Sequence, residues 1–132
     1  MAMWLFAKAI SRGEPIKVFN HGDMQRDFTY IDDITAGVTA SMEKEDMPDY
    51  SIINLGNNNP EQLMELIEVI EEAMGKKATK DLQPMQPGDV KATYAEIGLA
   101  AELLDFVPST SMREGVPKFI EWFKKHPDLT GA

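Results

Sequence analysis

The sequence predicts an α/β chain, α+β-like in character, in which helices surround a few short strands. Three observations predict it. Leu63, Leu66, Ile67, Ile70 and Met74 recur at helical spacing, with Glu61, Glu65, Glu68, Glu71 and Glu72 on the other side. Ser111 and Glu114 form a capping box before a second apolar face of Met112, Val116, Phe119, Ile120 and Phe123. The runs that suit strands, Ile16 to Phe19 and Ser51 to Leu55, are short. At 132 residues the chain is one domain at most. We expect it over residues 1–126, followed by a frayed tail at 127–132.

The elements follow in order. Ala2 to Arg12 is helix-forming, with Met3, Phe6 and Ile10 on one face and Gly13 as the stop. Trp4 and Leu5 make it apolar nearly all round, which predicts burial on several sides. Ile16 to Phe19 alternates like a strand and ends at the turn-prone Asn20-His21-Gly22-Asp23. Phe28 to Ile31 reads as a second extended piece. Asp32 suits the N-cap of a helix carrying Ile34, Val38, Ser41 and Met42. After the break at Met47-Pro48-Asp49, Ser51 to Gly56 is an apolar run of buried-strand type. Asn59 is the expected cap of the next helix, with Pro60 at its first position, Gln62 closing the box and Gly75 at its end. Thr79 to Pro84 suits a short strand. Pro84 and Pro87 flank a loop that cannot be helical. Glu96 to Leu104 is a short helix, and the last helix, opened by Ser111, carries Pro117 about a turn and a half in.

Composition narrows the function. A net charge of −9 and a pI near 4.6 argue against nucleic acid or an anionic membrane as a partner. An anionic ligand would need a local basic spot in an acidic surface, and Arg26 is the candidate. The chain has no cysteine, which excludes disulfides, thiol catalysis and cysteine metal sites. No apolar run approaches the roughly 20 residues of a membrane span, and residues 1–10 lack the features of a signal peptide. A cytoplasmic protein is the expectation.

Several residue groups have two readings. Asp32 and Asp33 could serve as a carboxylate pair for acid–base work or metal, but their place at a helix start favours capping. His21 and His126 are too isolated to suggest a metal site. Trp4, Phe119, Trp122 and Phe123 read as core rather than as a stacking platform.

One block stands apart: Arg26-Asp27-Phe28-Thr29-Tyr30-Ile31-Asp32-Asp33-Ile34, with Gln86-Pro87-Gly88-Asp89-Val90 further on. With Val18-Phe19-Asn20-His21-Gly22 and Met112-Arg113-Glu114-Gly115-Val116, these blocks resemble the C-terminal, substrate-binding part of extended short-chain dehydrogenases. The relevant family is the NAD-dependent epimerases and dehydratases, and within it the UDP-glucuronate 4-epimerase group. The resemblance runs from about Met1 to His126. It implies the substrate subdomain of that fold without the Rossmann domain. It places Arg26 on the diphosphate of a UDP-sugar, Asp89 on the ribose and Phe19 beside the uracil. Gln86 stands where many relatives carry Arg, so it keeps donors but loses charge assistance.

The physics of the types agrees: a planar guanidinium suits phosphate oxygens, and a carboxylate accepts from paired hydroxyls. The competing readings are an arginine paired with Asp23 or Asp27, a turn-capping aspartate beside Gly88, and a core phenylalanine.

The family's catalytic apparatus is not visible in this sequence. The glycines at positions 13, 22, 37, 56, 75, 88, 98, 115 and 131 never fall three apart, so there is no Gly-x-x-Gly-x-x-Gly loop for NAD. Tyr30, Tyr50 and Tyr94 are followed four positions later by Ile34, Asn54 and Gly98, so there is no Tyr-x-x-x-Lys pair. We therefore assign no catalytic, cofactor-binding or metal residue. NAD belongs to the parent family, whose reaction oxidises sugar C4, rotates the keto intermediate and reduces it from the other face. The expectation is an epimerase homologue reduced to its substrate-binding part. It would bind a UDP-sugar weakly and pair with a second copy or with a separate Rossmann-domain chain. The alternative is a non-catalytic interaction or scaffold protein that kept the fold and lost the ligand.

Overall fold

The computed structural model describes residues 2–130. In chain order the elements are α1 (Ala2–Arg12), β1 (Ile16–Val18), a 3₁₀ turn (Phe19–Gly22), β2 (Gln25–Asp27), α2 (Ile31–Glu43), β3 (Pro60–Gln62), α3 (Leu63–Met74), β4 (Lys80–Leu82), α4 (Gly98–Leu104), α5 (Met112–Lys125) and α6 (Pro127–Thr130). The mixed, helix-rich architecture with few short strands is the one the sequence predicts. Of the expected tail, residues 127–130 form a helical turn, and 131 and 132 lie outside the described residues.

The main core lies where α3 packs between α1 and α5. Leu66, Ile67 and Ile70 are fully buried, as are Ile10, Ile120 and Phe123 on the flanking helices. Each such side chain contributes roughly 2 kcal/mol by leaving water. Gly13 (φ +72) ends α1, and its neighbour Glu14 returns its N–H to Ala9 O at 2.9 Å. α1 is not buried on several sides as its composition predicts: Leu5 is 62% exposed, while Trp4 turns inward onto Phe123 in an edge-on contact.

The strands form two small sheets. β1 and β4 run parallel, Ile16 opposite Lys80 and Val18 opposite Leu82. β2 and β3 run antiparallel, Arg26 opposite Glu61. Glu71, 97% buried on α3, anchors β4. Its carboxylate accepts from Lys77 at 2.7 Å, from Lys80 at 2.5 Å and from Ala78 N–H at 3.1 Å. Burial opposes that charge, but the two lysines and the amide outweigh it and hold the pKa at about 2.

Four local expectations are corrected. Pro60 to Gln62 is strand rather than the first turn of α3, because pairing with β2 satisfies more backbone than a capping box at Asn59 would. The extended piece after His21 is Gln25–Asp27 and not Phe28 to Ile31, since Ile31 already belongs to α2. Tyr30, not Asp32, is the N-cap of α2, and it caps with no side-chain bond. Ser51 to Leu55 belongs to no strand: it finds no partner among the described residues, and Ile52 is 74% exposed. Ile53 and Leu55 pack instead on a second, smaller cluster of Ala100, Leu104 and Phe106. No helix is long and apolar enough to cross a membrane among the described residues.

Candidate functional site

A cavity of about 630 Å³ opens between α1, β1, the 3₁₀ turn and β2. Its wall is apolar on the α1 side, where Leu5, Phe6 and Ala9 face Phe19 and Met24. Its charged groups are unbalanced in the opposite sense to the whole chain. Lys8, Arg12, Lys17 and Arg26 line it against Glu14 and Asp89, a basic spot in a protein of net charge −9.

Arg26 is held from three sides. β2 is flanked by β3 on one edge and by the segment Lys91–Thr93 on the other. Gln25 N–H donates to Lys91 O at 2.8 Å, and Thr93 N–H to Gln25 O at 3.3 Å. The same segment presents the carbonyls that fix the guanidinium. Nη1 donates to Gln25 O at 2.7 Å and to Lys91 O at 3.2 Å, and Nη2 donates to Asp89 Oδ1 at 2.7 Å. Neither Asp23 nor Asp27 pairs with it. Asp23 pairs with Lys91 at 2.7 Å, and Asp27 spends its carboxylate on backbone. Asp27 accepts from Asn57, Asn58 and Ala95 N–H at 3.1, 3.0 and 2.9 Å, so it pins two loops behind β2. Gly56 is required there, because a Cβ would come within 2.3 Å of Ala95 Cβ. Opposite Arg26, Glu61 has a pKa raised by burial and then by the Glu65 charge.

Asp89 follows Gly88, whose φ of +83 makes the turn. Its N–H donates to Gln86 O at 3.1 Å, and its Oδ1 accepts Val90 N–H at 2.9 Å as well as Arg26. Asp89 thus caps its own turn and also lines the cavity. Phe19 is half-buried at the end of β1 and lines the cavity. Gln86 does not: its side chain is exposed outside the lining, and only its carbonyl serves the turn.

The structure therefore brings together Arg26, Asp89 and Phe19 and leaves Gln86 apart. It adds Lys8, Arg12 and Lys17, which sequence reasoning did not single out. The available signal was Lys8 and Arg12 one helical turn apart beside the apolar face of α1. Asp33 is no site residue. It is 7% exposed, and its carboxylate accepts from Ser109 N–H and Thr110 N–H. Among the described residues no group of three or more His, Cys, Asp or Glu side chains could hold a metal.

The strand-to-helix junctions from Asp27 to Ile31 and from Gln62 to Leu63 contain no glycine.

The profile of the NAD dependent epimerase/dehydratase family matches residues 2–56. An uncharacterized protein of Methanocaldococcus jannaschii is 44% identical over 97% of this chain and 39% of its own length. The UDP-glucuronate 4-epimerase of Thermodesulfobacterium geofontis is 40% identical over 98% of this chain and 39% of its own. The crystal structure of UDP-glucuronic acid 4-epimerase from Bacillus cereus, in complex with UDP-glucuronic acid and NAD, superposes with a TM-score of 0.85 at 32% identity. It covers 92% of this chain and 40% of that one. The chain spans about two fifths of the length of the curated relatives it matches.

Proposed function

We propose that this chain, which corresponds in sequence and fold to the C-terminal part of NAD dependent epimerase/dehydratase family proteins, binds the nucleotide end of a UDP-sugar in the Arg26 cavity. The observation that carries the reading is the joining of Arg26, Asp89 and Phe19 at one cavity whose lining is basic. Arg26 meets the diphosphate, because a fixed guanidinium matches phosphate oxygens without reorganising. Asp89 accepts from the ribose hydroxyls. Phe19, with Leu5 and Phe6 nearby, gives the base an apolar slot. UDP-glucuronate is the preferred sugar nucleotide, since relatives named for it match nearly the whole chain.

The chemistry at the sugar is not assigned to these residues. The oxidation would need a nicotinamide and a Tyr-Lys pair, and these 132 residues contain no Gly-x-x-Gly-x-x-Gly loop and no Tyr-x-x-x-Lys. Those parts would come from a Rossmann domain, with this chain supplying the substrate side. A second copy is the other partner we consider.

Titration with UDP, by calorimetry or NMR, tests the site. The 132-residue chain should bind with a dissociation constant on the order of millimolar, about −4 kcal/mol, and Arg26→Ala should remove most of that binding. Equal binding by both proteins refutes the assignment. Absence of binding by either favours the scaffold reading.

A further inference from the structure

We propose that Asp89 is a built-in competitor for the anion site: it holds Arg26 in the unliganded protein and must give up that charge contact before a diphosphate can seat. The inference rests on the reading of Arg26 as the diphosphate residue and adds a control on that site.

The hydrogen-bond inventory of Arg26 leads to it. A guanidinium presents five N–H donors, and a phosphate is best received by two parallel ones. Both Nη1 hydrogens are spent on the carbonyls of Gln25 and Lys91, at 2.7 and 3.2 Å. The fork that uses Nη1 is therefore closed, and only the one between Nε and Nη2 is left. Nη2 is the nitrogen that Asp89 Oδ1 occupies at 2.7 Å. A phosphate seated on the open fork would stand beside an unshielded carboxylate. Two like charges at such a distance repel at a surface site even with solvent screening.

Asp89 can also leave. It stands in an exposed loop directly after Gly88, at φ +83, and its own side chain is 33% exposed. The one other hydrogen bond of its carboxylate among the described residues is local, from Val90 N–H at 2.9 Å. Oδ2 accepts nothing among the described residues and is open to an incoming hydroxyl. Arg26, by contrast, is tethered by two backbone carbonyls and stays. The exchange is thus asymmetric: the carboxylate moves off and the guanidinium waits in place. A ligand with both a diphosphate and a ribose gives Asp89 new partners as it is displaced. A bare diphosphate gives it none. The pair discriminates a nucleoside diphosphate from inorganic pyrophosphate or other small polyanions.

The test uses the 132-residue chain, inorganic pyrophosphate and UDP as probes, and Asp89→Asn. Asparagine keeps size and an acceptor for Val90 N–H but removes the charge. We expect pyrophosphate to bind D89N about tenfold more tightly, equivalent to about 1.4 kcal/mol, while UDP gains less or loses affinity. Asp49→Asn removes the same charge outside the cavity lining and should change neither titration. If D89N leaves pyrophosphate affinity unchanged while Arg26→Ala abolishes it, the competitor role is overturned and the site reading stands. If D89N tightens both ligands equally, Asp89 only blocks and does not discriminate, which overturns the selectivity. If Arg26→Ala changes neither ligand, the site reading itself fails.

Discussion

Asp33, near the start of α2, reaches across 76 positions of sequence to hold Ser109, whose N–H and hydroxyl donate to its Oδ1 at 3.1 and 3.0 Å. Thr110 N–H completes the set on Oδ2 at 3.0 Å. This one carboxylate ties α2 to the segment that leads into α5. Burial works against its charge, but the donors of Ser109 and Thr110 prevail and hold its pKa below the usual carboxylate value. We expect Asp33→Ala to cost about 2 kcal/mol, because it orphans two amides at once. Urea unfolding should show a lower midpoint at unchanged slope. A midpoint equal to that of the wild type would sink the idea.

Glu71 makes the fold acid-sensitive. Its pKa is depressed to about 2 in the folded chain from an ordinary 4.5. A depressed carboxylate stabilises the fold above its unfolded pKa, and that stability fades as pH falls from there toward the folded value. Glu71→Gln should therefore lower stability by roughly 2–3 kcal/mol at pH 7, since it breaks a mostly buried ion pair. The gap between variant and wild type should narrow markedly by pH 3. Thermal melts of both proteins across that range check it, and a gap independent of pH would contradict the assignment.

Gly115 lets α5 lie against the ring of Tyr30. A Cβ at Gly115 would stand 2.8 Å from Tyr30 Cδ2, and Lys118 Nζ sits 4.8 Å from the same ring. Gly115→Ala should destabilise by about 1–3 kcal/mol through overpacking, despite the better helix propensity of alanine. Combining it with Tyr30→Ala should recover part of the clash as a coupling energy. Strict additivity of the two substitutions would show that the ring yields freely.

The segment Ser51 to Leu55 invites a partner. It joins no sheet among the described residues, with Tyr50 80% and Ile52 74% exposed. Unpaired backbone beside exposed apolar side chains is prone to pair with another chain. We expect the molar mass from light scattering to rise with concentration, and Ile52→Lys to suppress that rise. A monomer mass that holds at high micromolar concentration counts against self-association.

What the sequence disclosed, and what it hid, follows from range. The helices were legible because their signals are local: Gly75 ends α3 at φ +69, and Ser111 meets Glu114 with its N–H 3.0 Å and its hydroxyl 2.7 Å from Oε2. The joining of Arg26 and Asp89 was legible only as a resemblance, since nothing local to either residue announces the other. Asp33 was misread for the same reason. An aspartate at a helix start looks like a cap, and its true partners sit far along the chain. Pro60 to Gln62 carried good helix-start chemistry, yet the unpaired edge of β2 outweighed it.

The parallel register of β1 with β4 has a kinetic consequence. Ile16 cannot find Lys80 until all of the chain between them, α3 included, has been laid down. Closing so long a loop for three ladder pairs is entropically costly. Each helix, by contrast, can form from hydrogen bonds only four residues apart. Phe19 follows directly on β1 and Asp89 lies beyond β4, so the cavity is complete only once that long loop has closed. In a refolding experiment the helical signal should return ahead of any capacity to bind.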